Sequence, residues 1–121
     1  MKNANLKIFE LLSPKYERNN IKLGLSRIKK ALHELGNPCK NIPAIQIIGT
    51  NGKGSIAAYL ESILFEAKKN FGVTTSPHLF DVCERIRVNK KNINKTDFEK
   101  IYRLIEEKFS TFELTPFEKI I

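Results

Sequence analysis

The chain has 121 residues, 41% of them apolar and 28% charged, with 21 Lys+Arg against 13 Asp+Glu and a formal charge of +8. That length fits one ordinary domain. The apolar share supports a core and argues against a disordered charged tail, and no apolar run approaches the roughly 20 residues of a membrane span. The N-terminus lacks the apolar stretch and small-residue cleavage site of a secretory signal. Cys39 and Cys83 make neither a disulfide framework nor a zinc site, so the chain is expected in the cytoplasm with both as thiols. The positive charge raises nucleic-acid binding, but sixteen of the 21 cations are Lys and five are Arg, scattered singly or in pairs. Fork-like recognition of phosphates and bases favours Arg, and scattered Lys reads as solvated helix faces, so no nucleic-acid partner and no membrane are expected.

In chain order, a short apolar stretch from Leu6 to Leu12 stops at Ser13-Pro14. Ile21 to Leu35 reads as a helix with Leu25, Ile28, Leu32 and Leu35 on one face, ended by Gly36 and Pro38. After Pro43, the β-branched run Ala44 to Ile48 reads as a buried strand. A glycine-rich loop follows, then a helix from Ser55 to Lys69 with Ile56, Leu60, Ile63, Leu64 and Ala67 facing inward, then a second strand over Phe71 to Thr75. This strand–loop–helix–strand order predicts a βαβ element of a parallel sheet. Glu84 to Asn89 alternates charged and apolar residues as a half-exposed strand, with Arg85 and Arg87 on one face, expected to pair with Glu84 at the surface, and an anionic ligand as the alternative. Thr96-Asp97-Phe98-Glu99 is a capping box opening a helix with the face Phe98, Ile101, Tyr102, Ile105 and Phe109. Thr115-Pro116-Phe117-Glu118 is a second capping box, with Pro at the favoured first helical position. It opens a helix one turn before Ile121, which points to a truncated domain.

Gly49-Thr50-Asn51-Gly52-Lys53-Gly54-Ser55 carries most of the chemistry. It precedes a helix N-terminus, where unpaired N–H groups and the positive end of the dipole favour an anion. The glycines permit positive φ and close approach. Lys53 adds a point charge for phosphate oxygens, and Ser55 offers a hydroxyl to Mg²⁺ or caps the helix. The G-x-x-x-x-G-K-[ST] spacing is not met literally. Gly52-Lys53-Gly54-Ser55-Ile56-Ala57 also fits the dinucleotide pattern G-x-G-x-x-A, but the second strand ends Thr74-Thr75-Ser76 without the acid that pattern wants. An ATP-type P-loop is the leading reading, with a dinucleotide loop and a structural turn as alternatives.

The loop GTNGKGS resembles the phosphate loop of the folylpolyglutamate synthases and bifunctional dihydrofolate synthases, the folate branch of the Mur ligase superfamily. Leu23-Gly24-Leu25-Ser26-Arg27 resembles that family's LGLxR, Leu60-Glu61-Ser62-Ile63-Leu64 its LESIL helix, and Thr75-Ser76-Pro77-His78-Leu79 its TSPHL loop. Glu84 to Asn89 resembles its ERIRVN strand, and Leu114-Thr115-Pro116-Phe117-Glu118 its LTxFE segment, all in the same order. The resemblance implies an α/β fold, a partial P-loop-containing parallel sheet with flanking helices. It implies an ATP-dependent ligase that joins L-glutamate to a folate or dihydropteroate carboxylate through an acyl phosphate. Asn51, Gly52, Lys53, Gly54 and Ser55 would then hold ATP, with Lys53 catalytic in neutralising the transferred phosphate. Ser76 would be a Mg²⁺ ligand, and Leu23, Gly24, Thr115, Phe117 and Glu118 would border the pteridine-bearing substrate.

Glu118 also fits a cap alone, and His78 a solvated loop residue. Leu23 and Leu25 also fit packing. Lys90 stands where the family usually has Gly. Family members are several-fold longer, so residues 1–121 would be the N-terminal part of the ATP-binding domain, without the C-terminal glutamate-ligase domain. Such a fragment is expected to be inactive alone, and the full-length enzyme a monomer. A phosphate-binding module working with a partner chain, and a basic nucleic-acid-binding protein, are the alternative readings.

Overall fold

A computed structural model of the chain describes Ile8, Glu10, Leu12, Ser13 and residues 21–121. The elements are α1 (Ser26–Glu34), α2 (Lys53–Glu66), β1 (Gly72–Thr74), a 3₁₀ turn (Val82–Arg85), β2 (Ile86–Val88), β3 (Lys91–Asn92), α3 (Lys95–Lys108) and a second 3₁₀ turn (Ser110–Phe112). They fall into two units, one of Met1–Ile42 with Lys95–Ile121 and one of Pro43–Asn94. Most of the apolar stretch read from Leu6 to Leu12 lies outside the described residues.

In the first unit, Gly24 has φ +100, so the helix expected from Ile21 begins only at Ser26. Its inward line is Arg27, Ile28, Ala31 and Leu32, while Leu25 and Leu35 are exposed. The expected stop at Gly36 is present: Gly36 (φ +75) donates to the His33 carbonyl and Asn37 to the Leu32 carbonyl. Ala31, Phe109 and Leu114 form a buried cluster with Ile105 and Phe112 against it. The Phe109 and Phe112 rings meet edge-to-face, 5.2 Å between centroids. On α3, Phe98 and Tyr102 are buried as the periodicity predicts and Ile101 is exposed. The helix starts at Lys95, one residue ahead of the expected cap.

In the second unit, α2 turns Ala57, Leu60, Glu61 and Leu64 inward and leaves Ile56 and Ile63 exposed, against the predicted face. The sheet is antiparallel, in the order β1-β2-β3. Gly72 pairs with Val88, Val73 with Arg87 and Thr74 with Ile86, and β3 returns on β2 with Val88 opposite Lys91. Asn89 (φ +48) and Lys90 (φ +68) form the tight turn between those strands, the geometry that matches strand twist in a two-residue hairpin.

The expected parallel βαβ element is not formed among the described residues. Phe71 to Thr75 does contain a strand, but its partner is the antiparallel strand that follows, which needs no helical crossover. Ala44 to Ile48 belongs to no strand, with Ile45 72% and Ile48 81% exposed, because none of the described strands pairs with it. The strand expected from Glu84 starts at Ile86. Asp81 caps a turn ahead of it, accepting from the Cys83 N–H while Glu84 accepts from the Asp81 N–H.

Candidate functional site

The glycine loop and the start of α2 hold the residues that the sequence singles out for an anion. Gly52, at φ +79, is the residue before the helix, and Gly49 has φ +148. A Cβ at Gly52 would meet nothing within 4 Å, so the glycine is required by its backbone angle and not by crowding. No side chain caps the helix. Asn51, Lys53, Gly54 and Ser55 are all exposed, which leaves the first helical N–H groups open to a ligand. The helix begins at Lys53, so Ser55 lies inside its first turn and is not its cap. The Lys53 ammonium is folded back on its own loop and donates to the carbonyls of Gly49 (2.6 Å) and Thr50 (3.1 Å). It is thus held over the loop, where a phosphate oxygen can replace carbonyl partners.

Ser76 follows β1, exposed, with its bond to Pro77 cis. The segment beyond it is pinned by a carboxylate. Glu84 accepts from the backbone N–H groups of Leu79 (2.9 Å), Phe80 (3.0 Å) and Asp81 (2.9 Å). The Leu79 N–H first, then that of Asp81, outweighs the opposing desolvation, and the Glu84 carboxyl is held below the ordinary 4.5. His78 is half-buried, not solvated, and its Nδ1 accepts from Arg85 Nε at 2.9 Å. Arg85 is 1% exposed and Arg87 bonds Glu61, so the expected surface pairing of these arginines is also corrected. Sequence reading placed both on one strand face, whereas Arg85 sits in the capped turn.

The first unit holds the other candidate residues. Arg27 Nε donates to Glu118 Oε2 at 3.2 Å, and Nη2 lies 3.2 Å from Oε1. Nη2 also donates to the Lys22 carbonyl at 2.8 Å, and Nη1 reaches the Leu23 carbonyl at 3.5 Å. Glu118 completes the predicted box, accepting from the Thr115 N–H (2.8 Å) while its own N–H donates to Thr115 Oγ1 (3.2 Å). Glu118 thus caps the turn, as the cap reading expects, and also binds Arg27. Burial raises the Glu118 carboxyl, but the Thr115 N–H and Arg27 outweigh it and hold the group below the ordinary 4.5. Thr115 is buried, Leu23 is 89% exposed and Phe117 40% exposed. Arg27 thus ties the Lys22–Gly24 stretch to the Thr115–Glu118 turn. Its place in the LGLxR string was the only signal for it; its ion-pair partner Glu118 lies 91 residues away.

These residues fit phosphate and, in part, a cation. Ser55 and Ser76 are exposed hydroxyls of the kind a hard divalent ion accepts. Among the described residues no three His, Cys, Asp or Glu side chains group as a metal site, so the described residues can add oxygens to a cation carried by a nucleotide but do not enclose one.

No family model matches the chain. It is 41% identical over 100 residues to the dihydrofolate synthetase of Saccharomyces cerevisiae, covering 81% of this chain and 23% of that one. Its fold matches the Mycobacterium tuberculosis folylpolyglutamate synthase complexed with ADP, with a TM-score of 0.83 and 29% identity over 98% of this chain and 28% of that one. It also matches a bifunctional folylpolyglutamate synthase/dihydrofolate synthase with Mn, AMPPNP and L-glutamate bound, with a TM-score of 0.77 and 33% identity over 97% and 27%. The chain spans about a quarter of the length of the curated relatives it matches. No helix among the described residues is long and apolar enough to cross a membrane. In sequence and in fold, the chain belongs to the folylpolyglutamate synthase/dihydrofolate synthase family.

Proposed function

We propose that the chain is the N-terminal part of the ATP-binding domain of an ATP-dependent ligase that adds L-glutamate to a folate or dihydropteroate carboxylate. The observation that carries this is the uncapped, glycine-shaped loop with Lys53 over it, in a chain whose fold matches a synthase complexed with ADP. In this reading Asn51, Gly52, Lys53, Gly54 and Ser55 hold the ATP phosphates. The γ-phosphoryl group passes to the substrate carboxylate. The glutamate amine then attacks the acyl carbon, phosphate leaves, and an amide forms. Lys53 opposes the negative charge on the transferring group. A divalent cation, Mg²⁺ in the cytoplasm, would neutralise the phosphates when bound, with Ser76 among its oxygen ligands. Leu23, Gly24, Thr115, Phe117 and Glu118 border the pteridine-bearing substrate.

The exposed Ala44–Ile48 run becomes a strand of a parallel P-loop sheet once neighbouring strands of the longer protein flank it. The full-length enzyme works as a monomer on small molecules, without nucleic acid or membrane. Phosphoryl transfer requires many groups placed together, so the 121-residue chain binds nucleotide but does not turn over. Calorimetric titration of the chain with ADP tests the reading. Binding that Lys53→Ala weakens is expected, and no binding by the unaltered chain would overturn it. Glutamate-dependent ADP release by the purified chain would refute its inactivity.

A further inference from the structure

We infer that Arg87 is a positioning residue of the nucleotide site, a strut that holds the phosphate-loop helix and the Ser76 segment in one frame. The inference rests on the reading of Lys53 and Ser76 just given. Two edges of one guanidinium are used. Nε donates to Glu61 Oε2 at 3.3 Å and Nη2 to Glu61 Oε1. Nη1 turns the other way, to Thr75 Oγ1 at 3.3 Å and the Glu84 carbonyl at 2.9 Å. Glu61 lies on α2, the helix that starts at Lys53. Thr75 immediately precedes Ser76. Glu84 is the residue whose carboxylate gathers the N–H groups of Leu79, Phe80 and Asp81.

Arg87 therefore reaches the helix rising from the phosphate loop and both ends of the segment that carries Ser76 and His78. Glu61 is one of two buried residues on α2 and is 7% exposed, so the carboxylate end of the contact is shielded from water, while the Arg87 side chain is 19% exposed. A pair serving stability alone would need only the edge facing Glu61. The second edge makes the difference, and it demands the planar fork of Arg, which Lys cannot copy.

The test compares the purified chain with Arg87→Lys and with the exchanged pair Glu61→Arg/Arg87→Glu. Three readouts are taken: AMPPNP affinity with and without Mn²⁺, the melting temperature, and amide exchange. Arg87→Lys keeps a positive charge beside Glu61 and is the variant that preserves the fold. It is expected to leave cation-free affinity unchanged and to reduce the Mn²⁺-dependent gain about tenfold, the usual effect of losing an outer partner of a metal ligand. Exchange at Leu79, Phe80 and Asp81 should quicken while that of the α2 amides stays constant. The exchanged pair should recover melting temperature but not the Mn²⁺-dependent gain, because a carboxylate at 87 cannot donate to Thr75 or Glu84.

An Arg87→Lys chain with the full gain and unaltered exchange overturns the inference. So does an exchanged pair that recovers both properties. If the unaltered chain binds no AMPPNP at all, the Lys53 reading falls. The exchange at residues 79–81 then still decides whether Arg87 holds the segment.

Discussion

The two candidate sites are built in opposite ways. The phosphate loop is local and open. Its shape comes from two positive-φ glycines, its charge from Lys53, and the bonds of that lysine reach only three and four residues back. The Arg27–Glu118 cluster is distant and closed. Its two ion-pair partners are 91 residues apart, and their side chains are 20% and 11% exposed. A loop shaped by backbone angles leaves its first helical N–H groups exposed and spends only the Lys53 ammonium on its own carbonyls, whereas a cluster shaped by side chains uses its side-chain donors on itself. In the proposed reading the first binds an anion directly. The second can only set the position of what surrounds it, here Leu23 and Phe117.

That contrast can be broken at several points. The largest effect is expected inside the second unit, where Arg87→Ala strands the buried Glu61 carboxylate. Loss of one partner of a buried pair costs about 3–5 kcal/mol, read as a lower denaturant midpoint for unfolding. An unchanged midpoint would show that the pair is solvated in solution.

Lys53→Ala should remove a charge-assisted contact worth about 1.5–3 kcal/mol to a bound phosphate. ADP affinity falls while the melting temperature holds, since Lys53 bonds only to its own exposed loop. A parallel loss of melting temperature would mean the loop is not built locally.

At the closed cluster, Glu118→Gln should cost about 1–2 kcal/mol, the range for bonds to a charged group after allowing for partial exposure. It should also change the acid limb of stability. The folded Glu118 carboxyl lies below its ordinary value of 4.5. Its contribution is therefore present above pH 4.5 and lost as pH falls through the depressed value. Glu84 is depressed in the same direction. Melting curves from pH 6 to 2 should show the loss, smaller in Glu118→Gln; an identical acid limb in the variant would remove Glu118 from the account.

The smallest effect is at the hairpin. Lys90 holds φ +68, a region that costs a residue with a Cβ roughly 1–2 kcal/mol. Lys90→Gly relieves this but frees the unfolded chain, so a net stabilisation of about 0.5–1 kcal/mol is expected. A lower melting temperature would show that the Lys90 contacts with Phe65 and Ser62 matter more than the backbone.

Features set by neighbours in sequence were legible before any coordinates. The glycine loop, the Thr115–Glu118 box and the stop at Gly36 all follow from which residues tolerate which φ and which side chains reach an N–H three residues away. The family resemblance was legible for the same reason, since its strings are short runs of adjacent residues. The Asp81–Glu84 box was missed because the alternation at Glu84–Asn89 competed with it and reads equally well as a longer strand.

The tertiary structure alone decided the rest. Periodicity says that a helix has an apolar face, but α2 buries Ala57 and Glu61 while Ile56 and Ile63 stay exposed. A strand-like composition at Ala44–Ile48 does not supply a partner, and β1 paired instead with the antiparallel strand after it. Arg85 and Arg87 look alike in sequence, yet one bonds His78 in a capped turn and the other spans Glu61, Thr75 and Glu84. Backbone angles and caps depend on the nearest few residues and are written into them. Burial, strand pairing and charge partners depend on which distant groups arrive alongside, and only the folded chain determines that.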